Sequence, residues 1–125
     1  MASGSPGVPG TEIRAALNLT GIATETGSWR HVPKARSSDQ GAQIDLVLDR
    51  ADGVITLCEV KFAREPLVVT KAYARELKRK LEVFERQTRT RKDVRLVLVT
   101  MEGIKPNAWS EDLVDSVVEA KQLFA

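Results

Sequence analysis

Residues 41–62 read GAQIDLVLDR-ADG-VITLCEVKF, two apolar runs joined by a short Asp-Gly turn. That pattern predicts a β-hairpin, with strands over Ile44–Leu48 and Val54–Val60. A three-residue loop Ala51-Asp52-Gly53, closed by Gly53 in the left-handed conformation, pairs Arg50 with Val54. Counting back from that pair places Asp45 opposite Glu59 and Gln43 opposite Lys61. Strict alternation then puts Gln43, Asp45, Glu59 and Lys61 on one face, with Val47, Ile55 and Leu57. The other face carries Ile44, Leu46, Leu48, Val54, Cys58, Val60 and Phe62. Both faces are largely apolar, as in central strands covered on each side. Two facing carboxylates at one end of such a sheet must share a proton, pair with cations or bind metal. A divalent metal is the leading candidate.

The chain has 125 residues, 42% apolar and 29% charged, which suits one soluble globular domain with a modest core. Its one cysteine, Cys58, falls inside an apolar strand, which excludes a disulfide framework and favours a reducing compartment. No apolar stretch reaches the length of a membrane span and the N-terminus has no signal-peptide core, so no membrane association and a cytoplasmic location are expected. The net charge of +2 is unevenly spread: Lys71–Arg95 holds ten Lys or Arg against four Asp or Glu. Such a block suits a polyanion, and equally a solvated helix face.

Around the hairpin, residues 1–10 (MASGSPGVPG) read as a disordered leader or tail, leaving 11–125 as a single domain. Thr11 is placed to cap a short helix bearing Ile13, Ala16, Leu17 and Ile22, with Gly21 at its end. Glu25–Val32 is expected as a strand around Trp29. His31, the only histidine, has no second histidine or neighbouring cysteine with which to form a zinc site. A long helix is expected from about Thr70 to Gln87, its core stripe being Tyr73, Leu77, Leu81 and Phe84. Val94–Met101 is expected as a strand buried on both faces, parallel to its neighbour across the helical crossover. Gly103–Ser110 reads as a loop. A short strand near Val114–Val118 and a final helical turn close the chain.

An Asp in one strand followed by Glu-x-Lys in the next, between an N-terminal and a crossover helix, resembles the PD-(D/E)XK nuclease superfamily. The residues are Asp45 with Glu59-Val60-Lys61. More closely, Ser28–Arg30 (SWR), Gly41–Arg50, Cys58–Phe62 (CEVKF) and the Tyr73/Leu77/Lys80/Phe84 helix look like the nuclease-type C-terminal domain of prokaryotic AAA-type ATPases. Asp with Glu-x-Lys alone is a weak pattern; the two longer segments at this spacing are more specific. The residue before Asp45 is Ile44, where the motif's name has proline.

The resemblance implies an α/β fold with an αβββαβ core, like restriction endonucleases and Holliday-junction resolvases, a central mixed sheet flanked by helices. It implies a Mg²⁺- or Mn²⁺-dependent endonuclease hydrolysing DNA. Asp45, Glu59 and the Val60 carbonyl would hold the metal. Lys61 would orient the attacking water, and Gln43 would contact metal-bound water or phosphate. Lys71, Arg75, Lys78 and Arg79 would track the nucleic-acid backbone. A homodimer and an ATPase module in a parental protein are the implied partners. Such domains commonly add an acidic residue on the first helix; only Glu12 stands near there, and it is not given that role. The chain is expected to start partway into that helix, and it contains no GxxxxGK[ST] loop. The alternative is a nucleic-acid-binding or interaction domain without turnover, detached from a larger ATPase. A third reading is an unrelated α/β domain whose quartet is only a charge network.

Overall fold

The computed structural model describes residues 10–17, 19, 21–36 and 40–120. The expected leader, save Gly10, and the expected last turn around Leu123 and Phe124 lie outside them. The elements run α1 (Gly10–Ala16), β1 (Thr24–His31), β2 (Ala42–Arg50), β3 (Val54–Lys61), α2 (Lys71–Thr88), β4 (Asp93–Thr100), α3 (Ala108–Leu113) and β5 (Ser116–Glu119). They build an α/β fold around one mixed sheet of five strands in sequential order. β1, β2 and β3 are antiparallel neighbours, whereas β4 runs parallel to β3, and β5 parallel to β4.

The hairpin follows the turn chemistry. Gly53 takes φ 87°, the left-handed conformation that a side chain makes costly. Leu46–Asp49 pair with Cys58–Ile55 in the register that the turn dictates. Arg50 secures the turn through Asp52, at 3.0 Å from its Nε, and through the Thr56 hydroxyl at 3.3 Å. Lys92 Nζ binds the Asp49 carboxylate at 2.6 Å and the Arg50 carbonyl at 2.8 Å, tying the start of β4 to the same end.

Each face of the sheet carries its own core. α2 covers one face, packing Ala74, Leu77 and Phe84 on Ile44, Ile55, Leu57, Leu96 and Leu98. Ile13 and Leu19 cover the other, over Leu48, Cys58, Val97, Val99 and Val118. β3 is buried without a break from Val54 to Glu59, and β4 from Leu96 to Thr100, as strands covered on both sides should be. α2 starts where its chemistry says: the Thr70 hydroxyl accepts from the Tyr73 amide at 3.1 Å, and Arg89 closes the helix in the left-handed conformation.

Four expectations need correction. Ile44 packs with Val47 on the α2 side instead of opposite it, because β2 bulges. β1 advances two residues from Gly27 to Trp29 while β2 goes three, from Val47 to Ile44, so the extra residue falls at Asp45–Leu46. The ladder between β2 and β3 ends at Leu46–Cys58, so neither Asp45–Glu59 nor Gln43–Lys61 is a ladder pair. α1 already contains Thr11 and ends at Ala16, and Ile22 lies beyond it in a turn where the Ile22 amide donates to the Leu19 carbonyl. The stretch expected as a loop to Ser110 holds α3, whose first turn is fastened by reciprocal hydrogen bonds between Asn107 and Ser110.

Leu57 is 1% exposed at the centre of the α2-side core. We expect Leu57→Ala to lower unfolding free energy by about 2–5 kcal/mol in urea titration; a loss below about 1 kcal/mol would contradict its central position.

Candidate functional site: a carboxylate pair where two strands part

Where the β2–β3 ladder stops, side chains take over as acceptors. The Asp45 amide donates to Glu59 Oε2 at 3.2 Å, and the Val60 amide donates to Asp45 Oδ2 at 2.9 Å. Each carboxylate thus occupies a place that a strand carbonyl would fill in a continued ladder. The bulge allows this, because it releases Asp45 from the β1 register just where β2 leaves β3. Both carboxylates are brought to one gap at the end of the sheet.

Glu59 is 5% exposed, and an ion held there needs strong compensation. Lys80 supplies it: its ammonium donates to Glu59 Oε1, from a side chain 22% exposed. Three of the four carboxylate oxygens therefore accept from named protein donors. Asp45, by contrast, is exposed to solvent.

The neighbouring groups respond to this negative centre. The Tyr73 hydroxyl is pushed up to about 12, chiefly by burial and then by the charges of Glu59 and Asp45. Burial and the same two carboxylates hold the Cys58 thiol near 12, so this fully buried sulfur is an inert core group. Lys61 is exposed, and its ammonium lies 5.4 Å from the centroid of the Tyr73 ring, over the face that attracts a cation.

The expected site residues fall into three groups. Asp45, Glu59 and Val60 are joined by direct hydrogen bonds, with Lys61 following on the same strand. Gln43 is exposed on β2, but with Ile44 packed on the α2 side alternation turns it to the other face of the sheet, away from the acids it was expected to join. Lys71, Arg75 and Lys78 are exposed along the solvent side of α2. Arg79 differs from them: its guanidinium binds Glu76 at 2.6 and 3.1 Å and donates to the Gly41 carbonyl, fastening α2 to the start of β2. Sequence reasoning did not assign Lys80 or Tyr73 to the site. For Lys80 a signal exists, because a lysine three residues after Leu77 falls on the helix's core-facing stripe and requires an anion there.

The donors suit a hard divalent cation: carboxylate oxygens at a buried strand end, one of the two acids open to solvent. No group of three or more His, Cys, Asp or Glu side chains assembles as a metal cluster among the described residues. No helix among them is long and apolar enough to cross a membrane.

No protein-family model and no curated protein matches the chain. Among solved structures, a protein of unknown function, AF1548, superposes with a TM-score of 0.57 at 16% identity over 89% of this chain. A repair endonuclease from Pyrococcus abyssi gives a TM-score of 0.47 at 14% identity over 92% of it. This chain spans 60% of the first of those chains and 48% of the second. At such identities the first similarity speaks for the fold alone, and the second superposition is too loose to argue from.

Lys80→Met should cost about 2–4 kcal/mol in denaturant titration at neutral pH, less than for a fully enclosed pair because the lysine is partly exposed. Adding Glu59→Gln should restore part of that loss; no recovery in the double variant would remove the ion pair as its cause. Tyr73 is the only tyrosine, so its ultraviolet titration is free of overlap. The folded protein should titrate near pH 12, against an ordinary value of 10. Because the unfolded chain loses that proton first, this group's contribution to stability is complete below pH 10 and is lost as pH rises towards 12.

Proposed function

We propose that this chain is a Mg²⁺- or Mn²⁺-dependent nuclease domain that hydrolyses DNA phosphodiester bonds. The observation that carries the reading is the gap between β2 and β3, where the Glu59 carboxylate accepts from the Asp45 amide and the Asp45 carboxylate from the Val60 amide, with Lys61 next on the strand. A structural charge network has no need to concentrate two acids where the ladder has been abandoned, one of them buried. Likeness to PD-(D/E)XK nucleases and to the nuclease-type domain of AAA-type ATPases supports the same assignment, and an ATPase module in a parental protein belongs to the proposal.

In this reading Asp45 and Glu59 hold the cation, and the Val60 carbonyl is a further oxygen donor beside them. A hydrogen-bonded carboxylate oxygen keeps a second lone pair, so the bonds from the Asp45 and Val60 amides orient the acids without consuming them as ligands. The bound ion supplies Lewis-acid polarisation of a phosphoryl oxygen and a more acidic water. Lys61 positions the attacking water and offsets charge on the phosphate, its ammonium kept over the Tyr73 ring and clear of the carboxylates. Tyr73 stays protonated at neutral pH and so remains a hydrogen-bond donor beside the acids. Lys80 holds Glu59 in place when no cation is bound. Lys71, Arg75 and Lys78 form an exposed row that adds sequence-independent, salt-sensitive attraction for a polyanion.

Plasmid, branched and single-stranded DNA incubated with Mg²⁺ or Mn²⁺ test the proposal. Cleavage is expected, reduced by about 100-fold or more in Asp45→Asn, Glu59→Gln and Lys61→Ala. Metal binding has its own readout: millimolar Mn²⁺ should raise the melting temperature of the unaltered protein and leave that of Asp45→Asn unchanged. Salt-dependent DNA binding without cleavage would point instead to a binding domain without turnover. Cleavage that survives Glu59→Gln would end the assignment of the site.

A further inference from the structure

Five large apolar side chains are exposed among the described residues: Val32, Phe62, Val68, Met101 and Trp109. The topology brings all five to one end of the sheet. β1 and β2 are antiparallel with His31 opposite Ala42, so Val32 follows β1 at the end where β2 begins. β3 and β4 run parallel with Lys61 beside Thr100, so Phe62 and Met101 are the next residues of two adjacent strands at that same end. Leu67 bridges Ile104 beyond those strands, which places Val68 there. The Asn107 side chain donates to the Val69 carbonyl at 3.1 Å and brings the first turn of α3, with Trp109, alongside. This is the end at which Asp45 and Glu59 meet. The opposite end, with the Asp-Gly turn and the start of β4, carries none of the five.

An apolar rim around a polar site marks a surface for an occupant with apolar faces. Charge selects which occupant. The segments that supply the rim, 30–36, 61–71 and 101–109, hold seven Lys or Arg against two Asp or Glu. A second copy of this chain would bring the same surplus and be repelled. Duplex DNA offers phosphates to the cations, but its base faces are taken up by stacking on one another. A single strand offers both phosphates and unstacked base faces.

We propose that this rim binds single-stranded DNA, and that Phe62 and Trp109 are the planes on which its bases stack. The inference deepens the nuclease reading by naming its substrate class; it rests on that reading for the reaction, not for the binding. Lys61, the last residue of β3, turns its ammonium to the α2 side, over the Tyr73 ring. Continued alternation turns the Phe62 ring to the other face. A nucleotide seated at the end of β3 then has its phosphate towards Lys61 and the carboxylates and its base towards Phe62. Trp109 belongs to α3, whose Leu113 packs against the α2-side core. The two rings therefore bracket the strand ends from opposite faces, 37% exposed for Phe62 and 44% for Trp109.

Binding in EDTA, where cleavage cannot occur, is the test. The probes are a labelled single strand of about 15 nucleotides, its duplex, and an abasic strand of the same length and charge. The single strand should bind about tenfold tighter than either of the others. Phe62→Ala and Trp109→Ala should each weaken it about tenfold, the worth of one stacked base, and change duplex binding less than about twofold. Phe62→Trp should retain the affinity, which separates loss of a ring from loss of the fold. The single strand should also quench tryptophan fluorescence, and the quench should vanish in Trp109→Ala, where only the partly buried Trp29 remains. Tight, variant-sensitive binding without cleavage in Mg²⁺ would uphold the rim and sink the nuclease reading. Equal binding of all three probes, unchanged in both alanine variants, would overturn the proposal even if the protein cleaves DNA. So would binding to vesicles of anionic lipid that both alanine variants abolish while single-strand binding stays unchanged, which would reassign the rim to a membrane surface.

Discussion

One buried carboxylate shapes this molecule more than any other group. Glu59 stands at the end of the most enclosed strand, in a sheet covered on both faces, where a lone charge would cost several kcal/mol. The surrounding structure is arranged to lower that cost. Lys80 comes down from α2, and the Asp45 amide turns to it from β2. For Asp45 to do so, β2 must leave its ladder with β3, and the bulge at Asp45–Leu46 is where it leaves. A packing irregularity and an electrostatic requirement are thus the same feature seen from two sides.

α2 connects the core to the site. Its buried stripe of Ala74, Leu77 and Phe84 anchors the helix on the sheet, and that anchoring sets Tyr73 and Lys80 on either side of the carboxylates. The two sheet faces have separate cores, so the site sits at the rim of the α2-side core and opens to solvent at the strand ends. The ion pair of Arg79 with Glu76, and its bond to Gly41, keep helix and strand from drifting apart at the open side.

Much of the fold was legible because the signals were local and repeated. The Asp-Gly turn sets the hairpin register through the backbone geometry that Gly53 adopts, and Leu46–Asp49 pair as that geometry requires. The unbroken apolar runs of β3 and β4 announced central strands, and the stripe from Tyr73 to Phe84 announced the crossover helix. The short elements were not legible. α3 spans six residues, less than two turns, so periodicity had nothing to act on, although the Asn107–Ser110 capping box was there to be read. β5 has four residues and competing periodicities, and it is defined by its partner β4.

The sequence by itself determined which residues could carry chemistry, because two acids and a lysine set into apolar strands are costly wherever the chain puts them. It also determined the hairpin register, which depends on the nearest three residues of the turn. Only the tertiary structure decided how the acids meet. Alternation placed Asp45 and Ile44 on opposite faces of a flat sheet, but the bulge arises from pairing with β1, some twenty residues earlier in the chain. The counter-ion on Glu59 likewise comes from a separate element, α2, and only the packing of that helix on the sheet decides that the two groups meet.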